Sequence, residues 1–191
     1  MRSTALLLSL CLLPLAAQAE TYRMDVIVFL DKSGTSEPGR PAITPDTSRA
    51  IELDNPAALK SAGIEILPEE QFALGDEWQH LRLSKNYQPL IKLAWLQKDP
   101  PADRSLPLHI RWGEPLAVNN GSVSLRPLDG TVAMVLQHYL HLDADLVYTQ
   151  KSGDGAVSWR LREKRKMKRD ELHHLDSPKL GVLTRVTKAA P

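Results

Sequence analysis

The feature that most narrows the fold is an alternation of side-chain type sustained from Thr131 to Thr149. Even positions carry Val132, Met134, Leu136, His138, Leu140, Leu142, Ala144, Leu146 and Tyr148, while odd ones include Gln137, Tyr139, His141, Asp143 and Asp145. A period of two sends successive side chains to opposite faces of a strand, so one face must be covered and the other can meet water. Usual strands have about 5 or 6 residues. The run therefore predicts one long strand that bends, bulges or passes between sheet regions.

The flanking sequence extends the β pattern. Lys151-Ser152-Gly153-Asp154-Gly155 reads as a turn, and Val157, Trp159 and Leu161 open a second alternating run that pairs back as an antiparallel hairpin. Tyr22 to Asp31 is apolar on both parities, as expected of a central strand covered on both faces. Leu90 to Gln97 is largely apolar around Lys92, Leu108, Ile110 and Trp112 alternate with His109 and Arg111, and Gly181 to Lys188 reads as a last strand. Helix signals are few. Asn55-Pro56 pairs a cap with proline at the first helical position, and Gly63 ends that short element. Asp76 can cap a second helix through about Lys85, with Leu74, Trp78 and Leu81 turned inward. The expected architecture is α+β: a mainly antiparallel sheet with a long bent strand and two short helices.

The N-terminus carries an export signal. Arg2 precedes an apolar run from Ala5 to Leu15, and Ala17-Gln18-Ala19 has the small-x-small cleavage pattern, so cleavage is expected after Ala19. The apolar run is shorter than the roughly 20 residues that span a bilayer. Leu10 before Cys11 argues against lipid attachment at that cysteine. Residues 20–191 then form a single domain without cysteine, and Lys32 to Asp46, rich in Ser, Gly, Thr and Pro, reads as a mobile loop. Removal of Arg2 leaves 23 basic residues against 23 acidic ones, which argues against a general nucleic-acid binder. No span of a membrane is expected after cleavage, and the mature chain is expected outside the cytoplasm.

Few residue patterns point to catalysis. His138 and His141, three apart on a strand, would face opposite ways, and no HExxH helix or cysteine pair accompanies them; His138 is expected half-buried and His141 on the polar face. Asp143 and Asp145 share a face roughly 7 Å apart by strand rise, a spacing that resembles paired glycosidase carboxylates but equally suits a solvated edge. The mature chain has no thiol, no serine in a GxSxG context and no phosphate-cradling glycine loop. No catalytic residue, metal or cofactor is assigned. The basic run is more informative. Arg160, Arg162, Lys164, Lys166 and Lys168 occupy alternate positions, so on a strand they make one basic row about 27 Å long. Such a row suits the repeated carboxylates of an anionic polymer, or it serves as a solvated strand that discourages edge-to-edge pairing. A helix over Glu163 to Leu172 would scatter it. Trp95, Tyr139 and His141 are further candidate ligand contacts.

Several landmarks occur in order: an export signal followed by YRMDVIVFLD, LSKNYQPLIKLAWLQ at Leu83 to Gln97, YLHLDADL at Tyr139 to Leu146, and LREKRKMKRDELHHLDSPKLGVL at Leu161 to Leu183. With them the chain resembles the CsiV-like peptidoglycan-binding proteins of the bacterial periplasm. The last segment is the most specific, through Arg165, Met167, Glu171, Leu172, His173, Leu175, Asp176, Pro178 and Gly181. Lys92, His174, Ser177 and Leu180 depart from the pattern, which has histidine, tyrosine, histidine and phenylalanine there. The resemblance implies a noncatalytic protein that binds peptidoglycan and supports its synthesis through an outer-membrane lipoprotein activator and a class A penicillin-binding protein. Two other classes stay open: an envelope interaction module that recruits a protein by strand pairing, and a peptidoglycan hydrolase using Asp143 and Asp145.

Overall fold

The structure, a computed structural model, describes residues 20–34 and 37–189. The expected export signal and Cys11 lie outside the described residues. Among the described residues there are twelve strands: β1 (Thr21–Asp31), β2 (Arg40–Pro41), β3 (Ile64–Ile66), β4 (Tyr87–Lys98), β5 (Leu108–Trp112), β6 (Leu116–Val118), β7 (Val123–Leu125), β8 (Leu128–Leu136), β9 (Leu140–Ser152), β10 (Gly155–Lys166), β11 (Leu172–Asp176) and β12 (Leu180–Lys188). Two helices, α1 (Pro56–Ser61) and α2 (Gly75–Leu83), and one 3-10 turn (Glu69–Gln71) interrupt them. The architecture is α+β and mainly antiparallel. One sheet has the order β11-β12-β1-β4-β3, a second the order β2-β10-β9-β8-β5, and β6 and β7 form a small hairpin apart.

Side-chain parity assembles the core between the two sheets. Met24, Val26, Val28 and Leu30 of β1, with Trp95 of β4 and Val182 and Val186 of β12, meet Val132 and Met134 of β8, Leu142, Ala144 and Leu146 of β9 and Leu161 of β10 in one apolar cluster. Burial of this apolar surface is the main stabilising force. The other parity of β1 is covered as well. Ile27 and Phe29 pack with Leu74 and Leu81 of the α2 region, and Phe72, Trp78 and Leu183 complete this second cluster. Its polar member is Asp25, 1% exposed, which accepts from Arg23 at 2.7 and 2.9 Å and from the Ala73 backbone N–H at 2.8 Å. A buried carboxylate is tolerable only with such partners.

The long alternating run is two strands rather than one bent strand. β8 and β9 form a hairpin in which Leu136 pairs with Leu140, Met134 with Leu142 and Val132 with Ala144. A three-residue turn, Gln137 to Tyr139, pairs even positions with even positions, so the alternation passes through the reversal undisturbed. Gly130 on β8 makes the close approach possible: a Cβ at its φ of +153° would lie 2.2 Å from the Asp145 carbonyl oxygen on β9.

The other elements sit near their expected places. β9 and β10 join through the two-residue turn Gly153-Asp154, with Ser152 opposite Gly155. The Asn55 side chain caps α1 by accepting from the Ala58 N–H at 3.1 Å. α2 begins at Gly75 without a side-chain cap, and Asp76 lies in its first turn rather than at the cap, where its charge still suits the helix dipole. Within residues 32–46, Arg40 and Pro41 pair with Ser158 and Val157 of β10. Glu163 to Leu172 is strand, turn and strand, with β10 ending at Lys166 and β11 starting at Leu172.

Candidate functional site

β10 presents Arg160, Arg162, Lys164 and Lys166 on the outward face of the second sheet, while Lys168 lies beyond the strand end. Across the ladder, Arg162 faces Asp145, Lys164 faces Asp143 and Lys166 faces His141. Much of the basic row is therefore answered by acid. Arg160 grips Asp145 with two bonds of 2.7 Å, a bidentate geometry that raises the guanidinium pKa still further. Arg162 Nε stands 3.8 Å from the same carboxylate, with its side chain 72% exposed. Asp143 is taken by Arg104, which also bonds Thr131. Lys164 donates to Gln137 at 3.3 Å. Each aspartate of the pair is thus held by arginine rather than set in an apolar pocket, the environment that a general acid needs.

The row runs into a groove where the chain crosses between sheets. The turn 167–171 leaves β10 and enters β11 of the other sheet. It is tied at both ends, by Met167 N–H to the Leu140 carbonyl at 2.8 Å and by Asp170 N–H to the Val186 carbonyl at 2.9 Å. Three other segments converge there: Glu20 and Tyr22 at the start of β1, His138 and Tyr139 in the β8–β9 turn, and His173 on β11. Leu136, Leu140 and Met167 supply apolar surface, and Lys166, Lys168, Arg169 and Glu171 supply charge, around a volume of about 760 Å³. An apolar floor with a few convergent polar groups is the usual make-up of a ligand site.

The polar groups of the groove are ordered by one another. The Lys166 ammonium lies 3.2 Å from the centroid of the Tyr139 ring, a cation–π contact. The Lys168 side chain pairs with Glu171, and its backbone N–H donates to His173 Nε2 at 3.0 Å. Glu20 accepts from Lys188 at 2.6 Å and from the Tyr22 hydroxyl. The bond from Lys188, and then that from Tyr22, lower the Glu20 pKa. Burial, followed by the bond to Glu20, raises that of Tyr22. Tyr22 therefore stays a neutral donor and Glu20 an anion across the physiological range.

Of the residues singled out in the sequence, Lys166, Lys168 and Tyr139 come together in the groove. Arg160, Arg162 and Lys164 lie on the sheet face leading to it, and His141 lies beside Lys166 with its Nδ1 buried and without a hydrogen-bond partner. Trp95 is elsewhere. It is fully buried between the sheets, its indole N–H donating to Gln97 at 3.3 Å, so it belongs to the core and offers no surface to a sugar. His138 is exposed in the turn rather than half-buried, because the parity that seemed to turn it inward belongs to the strands on either side. Tyr22 and Arg169 are groove residues that the sequence did not single out, and His173, noted there for its fit to the family pattern, joins them. The break between alternating runs at 167–171 was a signal for Arg169 alone.

Among the described residues no three His, Asp or Glu side chains converge as a metal-binding group, and no helix is long and apolar enough to cross a membrane. No curated protein and no solved structure matches the chain. A family profile described as "Peptidoglycan-binding protein, CsiV" matches residues 2–189, which takes in every element of both sheets and all of the groove. The chain belongs to the CsiV family of peptidoglycan-binding proteins.

Proposed function

We propose that this protein is a noncatalytic periplasmic binder of peptidoglycan that supports cell-wall synthesis, holding the polymer in the groove between the sheets. The observation that carries this reading is the convergence there of Lys166, Lys168 and Arg169 with Tyr22, Tyr139 and an apolar floor. An amphipathic, anionic polymer of sugars and short peptides is the envelope ligand to which such a surface is complementary. The row from Arg160 to Lys164 extends the contact along the sheet face, and Arg162 is its most available member. Recruitment of an outer-membrane lipoprotein activator and a class A penicillin-binding protein would couple binding to synthesis.

Cosedimentation with purified sacculi across a salt series tests the binding. The protein is expected to pellet with sacculi at low salt and to be progressively released as salt screens exposed charges. Reversal of Arg162, Lys164 and Lys166 to Glu is expected to abolish most of the retention. Retention unaffected by that triple reversal would overturn the electrostatic part of the reading, and no retention at any salt would overturn the whole.

A second reading rests on β11, the terminal strand of the first sheet, with Leu172 46% exposed. An edge of that kind can accept a partner strand. Crosslinking in intact cells that captures one protein through β11, with no retention on sacculi, would favour it.

A further inference from the structure

The groove is built to receive carboxylates rather than to stack sugars. Tyr139 is 55% exposed and is the prominent aromatic side chain of the site. A sugar platform needs an open ring face, yet the Lys166 ammonium already sits 3.2 Å from the ring centroid and takes one face of it. The ring works instead as a seat for the cation. It holds the ammonium at the groove without neutralising its charge, so little side-chain entropy remains to be lost when an anion arrives.

Charge pairing around the rim leads to the same point. Glu171 answers Lys168, and Lys188 answers Glu20. Among the described residues neither Lys166 nor Arg169 has a carboxylate within ion-pair distance. These two cations line the groove together with Leu136, Leu140 and Met167. A ligand that matches them carries carboxylates spaced along an aliphatic backbone and fits within about 760 Å³. Neutral N-acetylated sugars supply no such anion. The stem peptide of peptidoglycan does, through its isoglutamate, diamino-acid and terminal carboxylates.

We propose that the groove binds the stem peptide of peptidoglycan, with its free carboxylates on Lys166 and Arg169. This inference rests on the reading of the protein as a peptidoglycan binder. Both side chains are exposed, so their replacement leaves the core intact.

Titration calorimetry with the free tetrapeptide L-Ala-D-isoGlu-diaminopimelate-D-Ala, run beside its carboxamide form and uncharged N-acetylglucosamine oligosaccharides, with cosedimentation on intact sacculi, tests it. The free-acid peptide is expected to bind. Amidation, or the pair Lys166→Gln with Arg169→Gln, is expected to weaken it by about tenfold or more, as loss of charge-assisted bonds implies. Tyr139→Leu is expected to weaken it less, and Tyr139→Phe to leave it nearly unchanged, because the seat needs the ring and not the hydroxyl. Unchanged thermal midpoints establish that the variants are folded. N-acetylglucosamine oligosaccharides bound as tightly as the free-acid peptide would overturn the stem-peptide assignment while leaving peptidoglycan binding in place. Failure to bind either sacculi or peptide would overturn both.

Discussion

The outward faces of the two sheets solve the same exposure problem in opposite ways. On the first sheet, Ile27 and Phe29 are sealed by α2 through Leu74 and Leu81, and the one buried acid, Asp25, is fully partnered. On the second, no helix among the described residues covers the face, and Arg160 pairs with Asp145 and Arg104 with Asp143. Burial covers the middle of the first face with apolar side chains. Cross-strand pairing offsets part of the charge on the second, and Lys166 and Arg169 at the groove have no carboxylate within ion-pair distance among the described residues. The proposed site lies where neither solution is complete.

That contrast can be broken most sharply on the sealed face. Leu74→Ala, at a fully buried side chain, is expected to lower the unfolding free energy in urea by about 3 kcal/mol; a loss below about 1 kcal/mol would mean that α2 does not seal the sheet. Arg23→Ala, which leaves the 1%-exposed Asp25 carboxylate with a backbone donor alone, should cost about 2 to 3 kcal/mol in the same measurement, at or below the low end for a broken buried pair because Arg23 is itself partly exposed. On the open face, a double-mutant cycle between Arg160 and Asp145 is expected to return a coupling of only about 1 kcal/mol, reduced by salt. A coupling as large as the effect of Leu74→Ala would erase the difference between the faces.

The smallest expected effect is at the β5 edge, where Glu52 bonds His109 Nδ1 at 2.6 Å and Arg111 at 2.7 Å. The bond to His109 is the main reason that the Glu52 pKa falls below its ordinary value of 4.5. A carboxylate with a depressed folded pKa contributes stability that is present above its unfolded value and lost as the pH falls through its folded one. Glu52→Gln should therefore lower the thermal midpoint slightly at neutral pH and converge with the parent protein as the pH falls below about 4.5, which flattens the acid limb of the profile.

The sealed face was legible in the sequence because covering both sides of β1 required apolar residues on both parities, and Met24 to Leu30 supply them. The β8–β9 reversal was not. Gln137, His138 and Tyr139 contain no glycine or proline, and a three-residue turn preserves parity, so the pattern that identified strands also hid the turn between them. The basic row was legible as a spacing on β10. Its neutralisation was not, because which acid faces Arg162 depends on the register between β9 and β10. The groove draws on four separate stretches, and no local pattern links Tyr22 to Arg169. Two departures from the family pattern have packing roles: His174 stacks on Phe29 at 5.8 Å, and the Lys92 ammonium lies 5.4 Å from the Trp78 ring centre.

The central claim is that peptidoglycan is held where the chain passes from one sheet to the other. Amide chemical-shift mapping of the isotopically labelled protein, titrated with soluble muropeptides, tests this directly. The expected result is a cluster of perturbed amides at Tyr22, Leu136 to Leu140 and Lys166 to His173, with α2 and β3 silent. Perturbations centred on α2 or on the Glu52 edge, with those groove amides unmoved, would contradict it.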